Sequence, residues 1–125
     1  MCSSDLSTAP LLASLELFDA AGGTALQAKA REMTSFLESA LRARLERAIA
    51  IVTPARPEAR GCQLSLRVRD GRETGLRVHH ELAAQGILTD WREPDIIRAA
   101  PVPLYNRFED AARLVLALER TLTTA

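Results

Sequence analysis

The chain has 125 residues, of which 47% are hydrophobic, and its 16 acidic side chains balance its 16 basic ones. That length suits one domain with a modest core, and the zero net charge gives no field that would favour nucleic acid or an anionic membrane surface as partner. Two cysteines, Cys2 and Cys62, make no disulfide framework, and no Cys/His spacing matches a zinc site.

Residues 1–6, Met-Cys-Ser-Ser-Asp-Leu, match one reading frame of a common sequencing-library adapter read from a GTG start. They are expected to be a non-native leader, with the domain proper spanning residues 7–125. A helix is expected from Ser7, with Pro10 in its first turn, where its missing N–H costs nothing, and with Leu11, Leu12, Leu15 and Phe18 as its apolar stripe. Gly22 and Gly23 break it. Thr24 with Gln27 three residues on reads as a capping box for a second, long helix whose apolar positions are Leu26, Ala30, Met33, Leu37, Leu41 and Leu45. Lys29, the only lysine, lies on this helix between two alanines and reads as solvated, while Arg31, Glu38, Arg42 and Arg44 mostly face away from the stripe.

Residues 49–53 suit a short strand, and proline and glycine make residues 54–61 a loop. The period then changes to two: Leu64, Leu66 and Val68 alternate with Ser65, Arg67 and Arg69, the mark of a strand with one buried face. Cys62, at the head of that pattern, reads as a small packing residue. A third helix comes after Asp70-Gly71, with Leu76, His79, Leu82 and Ala83 on one side and Gly86 as its stop; its adjacent His79 and His80 show no partner in the sequence. Residues 87–91 and 96–100 read as strands around a Glu93-Pro94-Asp95 turn. Phe108, Ala111, Leu114, Val115, Leu118 and Leu122 mark a closing amphipathic helix. The sum is an α+β domain of two layers, with helices packed on one face of a mainly antiparallel sheet.

Arg98 stands inside an apolar run, Ile96 to Ala100, and Pro101 and Pro103 brace the chain just after it. A guanidinium stays charged at physiological pH, so partial burial requires an anion to meet it, either one of the chain's own acids or the carboxylate of a small molecule. The prolines fix φ and stiffen the segment. Tyr105 and Asn106 can contact a ligand or bond nearby backbone and hold the loop. Trp91 can form the rim of a site, a dimer contact, or ordinary packing.

The run Asp-Trp-Arg-Glu-Pro-Asp-Ile-Ile-Arg-Ala-Ala-Pro-Val-Pro-Leu-Tyr-Asn-Arg-Phe-Glu-Asp, from Asp90 to Asp110, resembles the C-terminal signature of kynureninases. Arg60-Gly61-Cys62-Gln63-Leu64-Ser65-Leu66-Arg67 and the segment from Ala9 to Phe18 are similar to two further family segments, in family order. The resemblance implies the small C-terminal domain of a fold-type-I pyridoxal-phosphate enzyme, its large cofactor-binding domain lying outside this chain. It further implies hydrolysis of L-kynurenine or 3-hydroxykynurenine in tryptophan catabolism or NAD biosynthesis, in a cytoplasmic homodimer, with Arg98 binding the substrate's α-carboxylate. Pro101, Pro103, Tyr105, Asn106 and Trp91 would shape the site. The Schiff-base lysine and the phosphate site would lie elsewhere, because Lys29 falls outside any family motif for that lysine. The chain alone is then expected neither to bind the cofactor nor to be active. Two alternatives remain open from the sequence: a non-catalytic module that binds a small acid or a subunit, and the equivalent domain of a class V aminotransferase or cysteine desulfurase.

Overall fold

The computed structural model describes residues 3–123. Met1 and Cys2, part of the expected leader, lie outside them, as do the last two residues. The elements run α1 (Ser3–Ala21), α2 (Gly23–Leu45), β1 (Ile49–Ile51), β2 (Leu64–Val68), α3 (Arg72–Ala84), β3 (Asp90–Arg92), β4 (Ile96–Ala99) and α4 (Phe108–Thr123), with a short 3-10 turn at Pro57–Ala59.

All strand pairs are antiparallel and the order across the sheet is β1-β2-β4-β3. The chain leaves β2, crosses through α3 to the far edge at β3, and returns to fill the gap with β4, a split β-α-β arrangement. Alternation along the strands sends Leu64, Leu66, Val68, Ile97 and Ala99 to one face, where they are at most 2% exposed. There they meet Leu37 and Leu41 of α2, Val78 and Leu82 of α3, and Ala111, Val115 and Leu118 of α4 in one continuous core. The other face, bearing Ser65, Arg67, Ile96 and Arg98, carries no described helix. This is the expected two-layer α+β domain.

Several local expectations are corrected. Helix α1 begins at Ser3, since nothing between Ser3 and Ser7 breaks a helix, and so carries Pro10 in its interior rather than in its first turn. The helix breaks at Gly22, whose φ of 87° suits a residue without Cβ. Gly23 already belongs to α2, so Thr24 and Gln27 lie inside the helix and no side chain caps its start. Residues 87–89 are not strand, because β3 pairs with β4 only over Asp90 to Arg92. On α3 the buried positions are Gly75, Val78 and Leu82, whereas Ala83 is exposed and Leu76 and His79 are half-buried. Counting large side chains at a helical spacing misplaces that face by one position, because Gly75 contributes packing without a side chain. The helix ends as expected at Gly86, where Gly86 N–H bonds Ala83 and Ile87 N–H bonds the Leu82 carbonyl.

Glu38 was expected to face away from the core with the arginines of α2, but its side chain is only 12% exposed and meets Arg60, itself 4% exposed, at 2.5 Å. Arg42 bonds the other carboxylate oxygen at 3.1 Å. Burial opposes the ionisation of Glu38, yet the Arg60 and Arg42 hydrogen bonds outweigh it and hold the carboxyl below its ordinary range. The folded-state pKa therefore lies below the unfolded one, so the stabilisation is complete above the unfolded value and drains away as pH falls through the folded value. Glu38→Ala is expected to cost about 3 kcal/mol near neutral pH by leaving Arg60 buried without its carboxylate. Chemical denaturation at neutral and acidic pH checks this: the gap between the two proteins should narrow as pH falls through the acid range.

Candidate functional site

Arg98 sits at the third place of β4, hydrogen-bonded into the sheet on both sides, and its register partners are Ser65 on β2 and Asp90 on β3. Its neighbours Ile97 and Ala99 are locked in the core, so alternation forces the guanidinium onto the open face, where its side chain is 30% exposed. Arg98 Nε donates to Asp90 Oδ2 at 2.8 Å, and Nη2 donates to the same oxygen. Arg92 Nε donates to that oxygen too, at 2.9 Å. The Arg98 hydrogen bond, together with the charges of Arg92 and Arg98, holds the Asp90 carboxyl below its usual range. One strand row further, Arg67 Nε pairs with Asp95 Oδ2 at 2.8 Å. The Arg98 cation thus has an anion of its own, the first of the two possibilities that its sequence context left open.

The geometry of that pairing leaves room for the second. Nε and Nη2 form one edge of the guanidinium plane, and Asp90 occupies it. Of the five N–H donors of an arginine, one on Nη1 and the outer one on Nη2 form the end-on edge. Among the described residues no bond from Nη1 is seen. Two guanidiniums, Arg92 and Arg98, share the single carboxylate of Asp90, which leaves the group one positive charge in excess.

The loop after β4 is held from several directions. Pro101 is buried and Pro103 half-buried. Asn106 Oδ1 accepts the Val102 N–H at 2.8 Å, Asn106 Nδ2 donates to Asp110 Oδ2 at 3.1 Å, and Arg107 N–H donates to the same Asp110 oxygen at 2.9 Å, half of a capping box for α4. The Arg107 N–H first, then Asn106, keeps the Asp110 carboxyl below its ordinary range. The Asn106 side chain is thereby committed to loop geometry, while Tyr105 is 71% exposed.

Lys29 corrects the expectation of a solvated residue. Its ammonium donates to the Pro103 and Asn106 carbonyls, both at 2.8 Å, across 74 and 77 residues of sequence. Prolines 101 and 103 contribute carbonyls but no N–H, so the loop has more acceptors than donors, and a three-donor ammonium makes up the difference. His79 also has a partner that the sequence did not show, since its Nδ1 lies 3.0 Å from Thr89 Oγ1.

Trp91 is placed away from Arg98. Its register partner is Ile97, so it lies on the helix-covered face, against the core and beside Gly75, with its ring 5.9 Å from His79 and its Nε1 donating to Glu93 at 3.2 Å. A cleft of about 180 Å³ opens where residues 86–89, residues 99–101 and the first turns of α4 meet, with Asn106, Asp110 and Arg113 on its wall; Arg98 does not line it. Cys62 is half-buried and free. No group of three or more His, Cys, Asp or Glu among the described residues is disposed to hold a metal.

Residues 26–118 match the family model described as the kynureninase C-terminal domain. The chain belongs to that family. It is 56% identical over 114 residues to a kynureninase of Xanthomonas euvesicatoria pv. vesicatoria, and 55% identical over the same length to one of Xanthomonas campestris pv. campestris; each alignment covers 91% of this chain. The chain spans about a quarter of those relatives, 27% of their length. Among solved structures it resembles a C-DES mutant with glycine covalently linked to its PLP cofactor, with a TM-score of 0.69, 23% identity, and coverage of 87% of this chain and 27% of that one. It also resembles a NifS-like protein, with a TM-score of 0.61, 21% identity, and coverage of 78% and 29%. These likenesses show the fold alone: the two-layer α+β arrangement is shared with about a quarter of each of those chains.

Removing the loop's extra donor gives a direct check on the Lys29 clamp. Lys29→Met is expected to destabilise the domain by about 2 kcal/mol, in the range of hydrogen bonds from a charged donor. It should also speed amide exchange at Tyr105 and Asn106, whose N–H groups bond the Val102 carbonyl inside the clamped loop. Unchanged protection at both amides in hydrogen-exchange mass spectrometry or NMR would show that the clamp does not hold the loop.

Proposed function

We propose that this chain is the C-terminal domain of a kynureninase that hydrolyses L-kynurenine or 3-hydroxykynurenine to L-alanine and anthranilate or 3-hydroxyanthranilate, and that Arg98 binds the substrate's α-carboxylate. The observation that carries the proposal is the free end-on edge of a guanidinium already fixed by Asp90, in a cluster with one positive charge in excess. A bidentate charge-assisted pair there contributes roughly 1.5–3 kcal/mol and fixes the orientation of the bound amino acid. Pro101, Pro103 and Asn106 act one step back: with Lys29 they hold rigid the backbone beyond Arg98.

Pyridoxal phosphate supplies the electron sink for such chemistry. The described residues do not fit as its holder. A Schiff-base lysine needs a free amine, and the ammonium of Lys29, the only lysine, is engaged by two loop carbonyls. The cofactor is accordingly assigned to the part of the parent enzyme that corresponds to the remaining length of the relatives. The surface of α1 supports such a partner. Leu11, Leu12, Leu15, Leu17 and Phe18 are 42–61% exposed on a helix whose described neighbour is α2, which leaves an apolar surface for the rest of the polypeptide to cover. On the family resemblance the parent is a cytoplasmic homodimer. No described helix is long and apolar enough to cross a membrane.

A chimera tests the reading. The matched 114 residues of the Xanthomonas euvesicatoria kynureninase are replaced by those of this chain, and release of anthranilate is followed with added cofactor. The chimera is expected to turn over kynurenine, while the 125-residue chain alone is not. In the chimera Arg98→Lys should lower kcat/KM by roughly 10–100-fold, because a point charge does not reproduce a planar fork. An inactive chimera, or an unchanged kcat/KM in the variant, would overturn the assignment.

A further inference from the structure

We infer that Asp90 is a positioning residue for the carboxylate site: by occupying the Nε edge of Arg98 it fixes the guanidinium plane so that the end-on edge is presented to the ligand. The inference rests on the proposed role of Arg98 and extends it to a second residue with no direct ligand contact.

Three observations on the β3–β4 pair support it. Asp90 and Arg98 are register partners on adjacent antiparallel strands, so both side chains leave the same face of the sheet at the same level. The contact is side-on, with Nε and Nη2 directed to one carboxylate oxygen, which leaves the Nη1 end for another anion. Asp90 also takes the Nε of Arg92, so the carboxylate is itself held between two cations and does not swing away with either. An arginine side chain would otherwise lose its rotamer freedom on every binding event. Asp90 removes it in advance, at an edge strand where exposure of 49% permits substitution without opening the core.

Positioning and simple charge make opposite predictions, which gives the idea a sharp test. If Asp90 acted only through its charge, Asp90→Asn would leave two uncompensated guanidiniums and strengthen carboxylate binding. If it positions Arg98, the same change weakens binding even though the local charge becomes more favourable.

The experiment uses the active chimera with L-kynurenine and with its α-carboxamide as the neutral comparison. Asp90→Asn is expected to raise KM for kynurenine about tenfold, with kcat altered less than about threefold and the carboxamide unaffected; Asp90→Glu, which keeps an anion on the same strand position, should recover most of the loss. In the 125-residue chain itself, NMR should show the Arg98 Nε–H exchanging slowly in the wild type and at least about tenfold faster in Asp90→Asn, as expected when a charged hydrogen bond is lost. An unchanged or lowered KM in Asp90→Asn refutes positioning while leaving the Arg98 assignment intact. Equal losses for kynurenine and the carboxamide would also refute it, by showing a structural role. Failure of the underlying reading has a different signature, since Arg98→Lys would then leave kcat/KM unchanged.

Discussion

Strand β4 is bonded on both edges, to β2 through four register pairs and to β3 through three, and its four side chains alternate strictly between two environments. Ile97 and Ala99 are almost completely buried between the sheet and the helices. A one-residue slip would carry both to the open face and drive Arg98 into the core, at a cost of several kcal/mol for the stranded charge alone. The placement of Arg98 is therefore a consequence of the core packing of the residues on either side of it, and the neighbouring strands inherit their register from the same constraint.

The rest of the candidate site is built outward from that constraint. Asp90 reaches Arg98 because β3 is zipped to β4 in the register that packs Trp91 against α3. The loop leaving β4 carries two prolines and hence a surplus of carbonyls, which Lys29 satisfies from a helix more than seventy residues earlier in the chain. Asn106 and Asp110 close the loop and start α4 in one network, so the strand that bears the arginine continues into a segment with little freedom. The polar groups on this side of the molecule form a supporting frame, and Arg98 has an edge that the frame leaves open.

The architecture is largely legible in the sequence. The period-two pattern of Leu64, Leu66 and Val68 and the stripe from Met33 to Leu45 place those residues in the core where they are found. Sequence patterns mislead where packing or polar satisfaction involves partners remote in the chain. Glu38 has the pattern of a surface residue of α2, and nothing local reveals that Arg60 folds back over it. The burial of Gly75 escapes hydrophobic periodicity, which counts side chains, because there the Trp91 ring lies where a Cβ on α3 would meet it. The Asp90–Arg98 pair has a readable signal, since a turn centred on Pro94 pairs residues equally spaced about it. That signal points to a partner only once the two strands are known to form a hairpin.

The sequence by itself determined the fold class, the alternation that buries one sheet face, the family, and Arg98 as the cation to watch, because each of these depends on local periodicity or on a contiguous motif. Only the tertiary structure decided which anion meets that cation, which of its edges remains free, and that Lys29 serves as a loop clamp. Those outcomes depend on donors and acceptors from separate elements meeting within about 3 Å, the reach of a hydrogen bond, and no linear pattern encodes a distance of that kind between residues far apart in the chain.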